Sequence, residues 1–231
     1  MLEPISQLYY VRIILALSML LVASFLDIRK REINDILWIG FGAVAIIVIF
    51  FENDIWHTVI TLAFAMIIAP VALLLWRLGI FGGADALCLI VLAGLAPMHT
   101  LNNVQVTPFT TLTNAAIFST APIFVNVGRN MIAILRKEDL FEGFDTSRLN
   151  KAMAFCIGYK AKKIPKYSFS IERNTDGIRK LDFSFKHAEK ETFCTTGNTW
   201  VTPGIPYMIY LTAGFIAQIL YGDVILNMIP R

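Results

Sequence analysis

Two aspartates lie at the edges of apolar segments, where ionisable side chains are uncommon. Asp27 ends the apolar run that begins at Leu8, and Asp85 precedes another apolar run, directly after a glycine-rich turn. A charged side chain inside a bilayer is costly, so such residues usually have a partner or a function. Two carboxylates that face one cavity can share a proton, and one can then activate water while the other protonates an amide. The pair therefore has the residue types that peptide hydrolysis needs.

The two aspartates differ in where they lie on their predicted helices. Asp85 is at the N-terminal end of its run, where the helix dipole favours the carboxylate. Asp27 is at the C-terminal end of its run, where the dipole favours the neutral acid. Helix position therefore predicts Asp85 as the initial base and Asp27 as the initial acid.

The composition is that of a membrane protein. Hydrophobic residues make up 56% of the 231 residues and charged residues only 16%, whereas a soluble domain has roughly 25% charged residues. We predict an all-α polytopic membrane protein with six transmembrane helices and a small cytoplasmic α+β insert before the last helix. The six predicted spans are residues 8–26, 36–51, 56–78, 86–96, 109–135 and 205–229.

The basic residues predict the orientation, because Lys and Arg of short loops collect on the cytoplasmic side. They follow the first, third and fifth spans, whereas the opposite loops, 52–55 and 97–108, contain neither Lys nor Arg. The first run lacks a basic leader and a cleavage site, so we expect it to remain as a permanent span. These patterns predict a multi-pass protein of the cell membrane with its N-terminus outside and both aspartates at the cytoplasmic face.

The predicted insert is strongly basic. Residues 136–201 contain thirteen of the twenty Lys and Arg residues, and they separate a membrane domain, 1–135, from the sixth helix, 202–231. Inside the insert, apolar residues alternate with polar ones on both sides of the turn Asn174-Thr175-Asp176-Gly177, which is typical of a β-hairpin. The alternating apolar residues are Tyr167, Phe169, Ile171, Leu181, Phe183 and Phe185.

Two interpretations of this basic surplus remain open. It is either a solvated face that obeys the positive-inside rule or a contact with anionic lipids, centred on Lys160, Lys162, Lys163 and Lys166. Nucleic acid is not expected as a partner, because no recognition fold accompanies the charges. The three cysteines and three histidines are scattered, so we predict neither a metal site nor a cofactor.

The segment Gly82-Gly83-Ala84-Asp85 resembles the GxGD signature of intramembrane aspartyl proteases, a group that includes type IV prepilin peptidases, archaeal preflagellin peptidases and presenilins. Asp27 and the residues that follow it are similar to the first catalytic aspartate of the prepilin and preflagellin branch; these residues are Arg29, Arg31, Ile33 and Asn34. The resemblance implies that both aspartates are catalytic and that Gly82, Gly83 and Ala84 lie beside the substrate. Ala84 departs from the signature, which has glycine at this position. The alternative interpretation of the two glycines is an ordinary turn between helices.

Pro203-Gly204-Ile205-Pro206 is similar in character to the proline-containing motif that flanks the site in presenilin-like enzymes. Prolines leave nearby carbonyls unpaired, which would help to bind an extended peptide, so Pro203 and Pro206 are predicted at the substrate. The alternative is that Pro206 only starts the last helix, where proline is favoured.

The chain lacks the paired CxxC motifs of bacterial bifunctional prepilin peptidases and resembles the archaeal preflagellin branch most closely. The resemblance implies an aspartic endopeptidase whose substrate is a preflagellin or pilin-like precursor with a short basic leader before an apolar helix. Glu32 and Asp35 could attract that leader, and membrane lipids are expected partners. The alternative function is a proton- or cation-coupled transporter that uses the same aspartates, although no internal repeat is found.

Overall fold

The computed structural model of the protein describes residues 7–175, 178–183 and 192–228. These residues form two compact units. The first unit contains the described residues up to Ser119 and those from Pro206 onward, and the second unit is Thr120–Ile205.

Ten helices and five strands are assigned among the described residues. The helices are α1 (Gln7–Lys30), α2 (Asp35–Ile49), α3 (Ile55–Ala65), α4 (Ile68–Arg77), α5 (Gly83–Leu95), α6 (Thr110–Phe118), α7 (Ala121–Leu135), α8 (Arg148–Ile157), α9 (Tyr207–Tyr221) and α10 (Val224–Met228). The strands are β1 (Tyr159–Ala161), β2 (Ser168–Ser170), β3 (Glu172–Thr175), β4 (Ile178–Leu181) and β5 (Thr199–Pro203).

The apolar segments are helical and confirm that this is a membrane protein. Within the described residues, three helical stretches are long and apolar enough to cross a bilayer, namely Gln7–Lys30, Ile55–Arg77 and Thr110–Leu135. The other three apolar helices are shorter: Asp35–Ile49, Gly83–Leu95 and Tyr207–Tyr221. A full crossing takes about 20 residues, so the number of six crossings stays a prediction.

The last predicted span differs from the helix that the structure shows. Helix α9 ends at Tyr221, and Gly222 then has a φ of +84°. Because a left-handed residue ends an α-helix, the chain turns there before the short helix α10 begins. Ile229, the predicted end of the span, lies outside the described residues.

Helix α5 lies at the centre of the first unit, although it has only 13 residues. It packs against α1, α2, α3 and α4, and its Leu89 and Leu92 are almost completely buried. Helix α1 packs in addition against α9, and Leu20 of α1 and Leu211 of α9 belong to the same buried cluster. A helix that is apolar on nearly every side is stable only when other elements surround it. The centre of this unit therefore holds Asp85 in place.

Polar side chains join the helices of the first unit. The hydroxyls of Ser24 in α1 and Thr212 in α9 are 2.8 Å apart. The buried Arg12 of α1 donates from Nη1 to the carbonyl oxygen of Gly94 at 3.1 Å and from Nε to Glu52 at 2.9 Å. Interhelical hydrogen bonds of this kind favour one packing arrangement, because an unpaired polar group in hydrocarbon is costly.

The second unit combines α7 and α8 with two small sheets. Strands β1, β5 and β2 form an antiparallel sheet in that order, and β3 pairs with β4. Trp200 of β5 is completely buried, and its Nε1 donates to the carbonyl oxygen of Leu140 at 2.9 Å. The side chain of Asn130 in α7 donates to the carbonyl oxygens of Phe155 and Gly158, each at 2.8 Å. These bonds join α7 to the rest of this unit.

The antiparallel pair of β3 and β4, with Thr175 opposite Ile178, lies where the sequence predicts a hairpin, but its first strand is not the expected one. Residues 167–171 do not belong to it, because β2 pairs instead with β5, with Ser168 opposite Pro203. The buried side chains in this stretch are those of Ser168 and Ile171. Ile171 is therefore buried as the alternation predicts, whereas Tyr167 and Phe169 are only partly buried. The turn residues 176–177 and Phe185 lie outside the described residues.

Helices α6 and α9 approach so closely that Gly214 leaves no room for a side chain. A Cβ atom there would lie 2.5 Å from the carbonyl oxygen of Thr111 and 2.8 Å from the amide nitrogen of Ala115. Small residues allow such close approach of membrane helices. We predict that Gly214→Ala destabilises the protein by about 1–3 kcal/mol, as overpacking typically does. Thermal unfolding in detergent measures this as a melting temperature lower by roughly 2–12 °C.

The matched control for this prediction is Gly40→Ala. Gly40 is also helical, but a Cβ atom there meets nothing within 4 Å. Its melting temperature is expected to stay the same or rise slightly, because alanine favours helix more than glycine does. Equal melting temperatures for the two variants would show that the contact between α6 and α9 is not tight.

Candidate active site

Asp27 lies in the last turn of α1, and its side chain is only 16% exposed. Its Oδ2 accepts a hydrogen bond of 3.4 Å from the backbone amide of Met208, at the beginning of α9. Its Oδ1 is 4.0 Å from Nη1 of Arg31. Both contacts favour the charged form of this carboxylate, because a helix N-terminus and a guanidinium are positive.

Arg31 has an uncommon backbone conformation that ends α1. Its φ is +57°, and its amide donates to the carbonyl oxygen of Asp27 at 3.1 Å. A residue other than glycine rarely adopts this left-handed conformation, which is a typical way to terminate a helix. The turn ends the helix at Lys30, one turn after Asp27, and keeps the guanidinium beside its carboxylate.

Asp85 lies in the first turn of α5. Its Oδ2 accepts a hydrogen bond of 3.1 Å from the amide of Gly82, while its own amide donates to the carbonyl oxygen of Gly82 at 3.1 Å. The side chain therefore satisfies one of the free amides at the helix start. It is half-buried, and the helix beneath it is the central helix of the unit. The chain thus fixes the position of Asp85 through local hydrogen bonds and through packing.

The structure brings the two aspartates together. Helix α1, which carries Asp27, packs against α5, which carries Asp85, and the two carboxyl groups are close enough to interact electrostatically. The first turn of α9 contacts both segments. Met208 donates to Asp27, while the ring of Tyr207 lies 5.0 Å from the ring of Phe81, which precedes the turn to Asp85. Two carboxylates from separate helices therefore share one site.

The glycine-rich turn does not require left-handed backbone at its predicted substrate residues. Gly82 has a φ of −74° and Gly83 begins α5. The glycine with positive φ in this loop is Gly79, at +72°, which the sequence analysis did not single out. Ala84 lies in the first turn of α5, where alanine is the best helix former. The departure from the signature at Ala84 is therefore compatible with the backbone that the structure shows.

The two predicted prolines lie in different units. Pro206 precedes α9 and accepts a hydrogen bond from the amide of Ile209 at 3.2 Å, so it starts the helix that contacts Asp27. Pro203 ends β5 in the second unit and lies opposite Ser168. The first unit alone therefore assembles both aspartates, the glycine-rich turn and Pro206.

Two contributors to the site were missed on sequence. Met208 contributes a backbone amide, which no residue type reveals, and Tyr207 is a single aromatic residue among several near the chain end. Pro206 indicated on sequence where the helix starts, but it did not indicate that this helix start contacts Asp27. Among the described residues, no group of three or more His, Cys, Asp or Glu side chains could hold a metal ion.

A helical membrane protein that pairs two carboxylates at the ends of packed helices has the arrangement expected of a membrane-embedded acid–base hydrolase. Sequence comparisons agree with this class. The profile of the type IV leader peptidase family matches residues 14–125, which include both aspartates, and the profile of the archaeal Peptidase A24 C-terminus, type II, matches residues 155–224. The chain belongs to the type IV leader peptidase family, and it is a protease.

Three relatives are similar over nearly their whole length, and each is named preflagellin peptidase. The relative from Methanocaldococcus jannaschii is 22% identical over 90% of this chain and 92% of its own. The relative from Methanococcus voltae is 23% identical over 91% and 94%, and the relative from Methanococcus maripaludis is 26% identical over 90% and 94%. The predicted resemblance is thus confirmed.

Replacing Arg31 by glycine is expected to change peptidase activity without lowering the stability of the fold. In Arg31→Gly the left-handed turn becomes unstrained, a change worth up to about 1 kcal/mol per residue, but the cation beside Asp27 is lost. We predict a melting temperature that is unchanged or higher, together with peptidase activity reduced about tenfold, because a misplaced catalytic group is costly.

Lys137→Gly is the matched control for this variant. Lys137 is another basic residue with left-handed backbone, at φ +61°, and it lies in the second unit. Its replacement is expected to leave peptidase activity unchanged. Equal activities of the two variants would show that the cation beside Asp27 has no role in the reaction.

Proposed function

We propose that this protein is a membrane aspartyl endopeptidase that removes the short basic leader of preflagellin or pilin-like precursors at the cytoplasmic membrane face. The observation that carries the proposal is the pairing of Asp27 and Asp85 at the ends of α1 and α5, in a chain similar to preflagellin peptidases along nearly its whole length. The comparisons offer no support for the alternative, an ion-coupled transporter.

The proposed reaction needs one charged and one protonated carboxyl group. The charged carboxylate takes a proton from water, and the oxygen of that water attacks the carbonyl carbon of the scissile bond. The protonated carboxyl gives its proton to the carbonyl oxygen, so that a neutral tetrahedral intermediate forms. The carbon–nitrogen bond then breaks as the carboxyl that took the water proton passes it to the leaving amine, while one hydroxyl of the intermediate returns its proton to the other carboxylate and becomes the carbonyl oxygen of the new acid. This exchange returns the pair to its starting state.

The structure favours neither aspartate over the other as the initial base. Helix position on sequence favoured Asp85 as the base, because only Asp85 was expected at a helix N-terminus. The amide of Met208 gives Asp27 a contact with the N-terminus of α9 as well. Both carboxylates thus accept a hydrogen bond from a helix start, and interacting acids titrate as a unit. We therefore propose a shared proton rather than fixed roles.

The substrate class follows from charge and from the place of the pair. The loop after α1 exposes Glu32, and α2 begins with the exposed Asp35, so two acidic residues lie within eight positions of Asp27. A basic leader in the cytoplasm is attracted to such a loop, while the apolar helix of the precursor stays in the bilayer. The bond between the leader and the helix then reaches the level of the two carboxylates.

The test of this proposal replaces each aspartate by its neutral isostere. Asp27→Asn and Asp85→Asn each remove one proton carrier, so we predict that each lowers the cleavage rate at least about a thousandfold, as losses of essential catalytic groups do. The assay uses full-length protein in bilayers and a precursor with a basic leader, and mass spectrometry measures release of the leader.

Asp223→Asn is the matched control. Asp223 accepts a hydrogen bond from Thr113 at 3.0 Å and lies beyond α9, at the opposite end of that helix from Met208. Its replacement is expected to leave cleavage intact. Normal maturation of the precursor by either of the first two variants would overturn the proposal.

We also propose that the second unit contacts anionic lipid. Helix α7 is the end of an apolar stretch, Thr110–Leu135, and its last residue, Leu135, is 78% exposed. Three cations that follow or lie near this end act on Glu138: Lys162, Arg136 and Lys160. Lys162 hydrogen bonds to Glu138 and holds the pKa of that carboxyl below its usual range.

The surroundings of this cluster fit a bilayer surface better than they fit the substrate. Ile164 is 65% exposed and lies between Lys163 and Lys166, so the loop presents an apolar side chain among cations. A basic leader would be repelled there, whereas anionic headgroups attract each cation by about 1 kcal/mol. Anionic lipid is therefore the proposed occupant.

Lysine labelling in bilayers tests the lipid contact. We predict that Lys163 and Lys166 react about fivefold more slowly with an amine reagent in vesicles of phosphatidylcholine with phosphatidylglycerol than in phosphatidylcholine alone, since 1 kcal/mol is a factor of about five. The exposed Lys180 of β4 is the internal reference. Equal rates for all lysines in both vesicles would favour a merely solvated face.

A further inference from the structure

We infer that Tyr207 is a third catalytic residue, whose hydroxyl donates a hydrogen bond to the carbonyl oxygen of the scissile peptide bond while negative charge develops there. The inference rests on the proposed function of Asp27 and Asp85. It concerns the stabilisation of the negatively charged carbonyl oxygen before that oxygen is protonated, a step that the two carboxylates alone perform less well.

The start of α9 places Tyr207 beside the two segments that carry the aspartates. It is the first residue of α9, directly before Met208, whose amide donates to Asp27. On the other side its ring contacts Phe81, with 5.0 Å between the ring centroids and 43° between the planes. Phe81 adjoins Gly82, whose amide fixes the carboxylate of Asp85. The tyrosine is therefore held by the segments that carry both acids.

The hydroxyl of Tyr207 is available to a substrate. It makes no hydrogen bond to any residue in the part of the chain that the structure describes, although the residue is half-buried. A tyrosine hydroxyl in a largely apolar site usually has a hydrogen-bond partner. An unused donor beside a pair of carboxyl groups is thus placed to meet an acceptor that arrives with the peptide.

Electrostatics distinguishes Tyr207 from its neighbour on the same helix. Burial affects both phenols, but only the hydroxyl of Tyr207 lies close enough to Asp85 to interact electrostatically with its carboxylate. The two rings lie 6.4 Å apart, and both residues are half-buried. The comparison places the Tyr207 hydroxyl near the reacting groups, while Tyr210 provides an otherwise similar phenol outside them.

The chemistry of the step fits a phenol. Attack of water turns the carbonyl oxygen into an oxyanion, which then takes a proton from the carboxyl group of the pair. A phenol keeps its own proton and donates a hydrogen bond throughout, so no further proton has to be balanced. One preorganised donor to such an oxygen is typically worth about 10²–10³ in kcat. The ring contact with Phe81 gives the orientation that preorganisation requires.

Tyr207→Phe tests the inference, because it removes the hydroxyl and keeps the ring on Phe81. With full-length protein in bilayers and a leader-bearing precursor, we expect kcat to fall about a hundredfold, with KM within about twofold of the original, since the lost bond forms only in the transition state. Tyr210→Phe is expected to change neither constant. Equal melting temperatures for the two variants would show that the ring packing is intact.

A second measurement addresses transition-state binding directly. A peptide inhibitor that carries a tetrahedral hydroxyl in place of the scissile carbonyl is expected to bind Tyr207→Phe at least about tenfold more weakly than Tyr210→Phe, which corresponds to about 1.4 kcal/mol. Unweakened inhibitor binding, an unchanged kcat, or a loss that appears wholly as a higher KM would each overturn the inference.

The two proposals can fail separately. If Asp27→Asn or Asp85→Asn still processes the precursor, the two-aspartate function is wrong, and the role of Tyr207 falls with it. If both of these variants are inactive while Tyr207→Phe retains its kcat, the aspartates are catalytic and only the assignment of Tyr207 is wrong.

Discussion

The hydrogen bond from the Met208 amide to Asp27 joins the last long helix of the first unit to its first helix, across 181 positions of sequence. The site depends on this junction, because α1 contributes one carboxylate and α5 the other, while the start of α9 contacts α1 and the loop that precedes α5. A helix start can serve as a junction because its first amides lack partners within the helix. The carboxylate of Asp27 provides one such partner.

Further polar groups between α1 and α9 stabilise the same junction. Ser24 and Thr212 join α1 to α9 one turn away from the Asp27 contact, and Thr212 also bonds to carbonyl oxygens of both helices. In hydrocarbon a shift of one helix along another would leave such groups unpaired. The bonds therefore restrict how far α9 can slide without breaking the site.

The class of protein was predictable because the two acids stand out by residue type. Two acids at the edges of apolar runs are visible in any membrane sequence, and the profile of the type IV leader peptidase family covers both Asp27 and Asp85. The partner of Asp27 was not predictable, since Met208 contributes a backbone amide and any other residue could supply it. The strand partner of residues 167–171 was mistaken for a related reason. These residues alternate as a strand does, but their partner, β5, lies about thirty positions later in the sequence.

The ion pair of Arg12 with Glu52 has a consequence for how the protein meets bilayers of different thickness. Arg12 also holds the carbonyl oxygen of Gly94, near the end of α5, while Asp27 and Asp85 lie near the opposite ends of the same two helices. Arg12 and Asp27 are fifteen positions apart, about 22 Å along a helix, so Arg12 joins α1 to α5 at a level well away from the acids. A bundle joined in this way tilts as one body in a thinner or thicker membrane, and the spacing of the acid pair then does not depend on bilayer thickness.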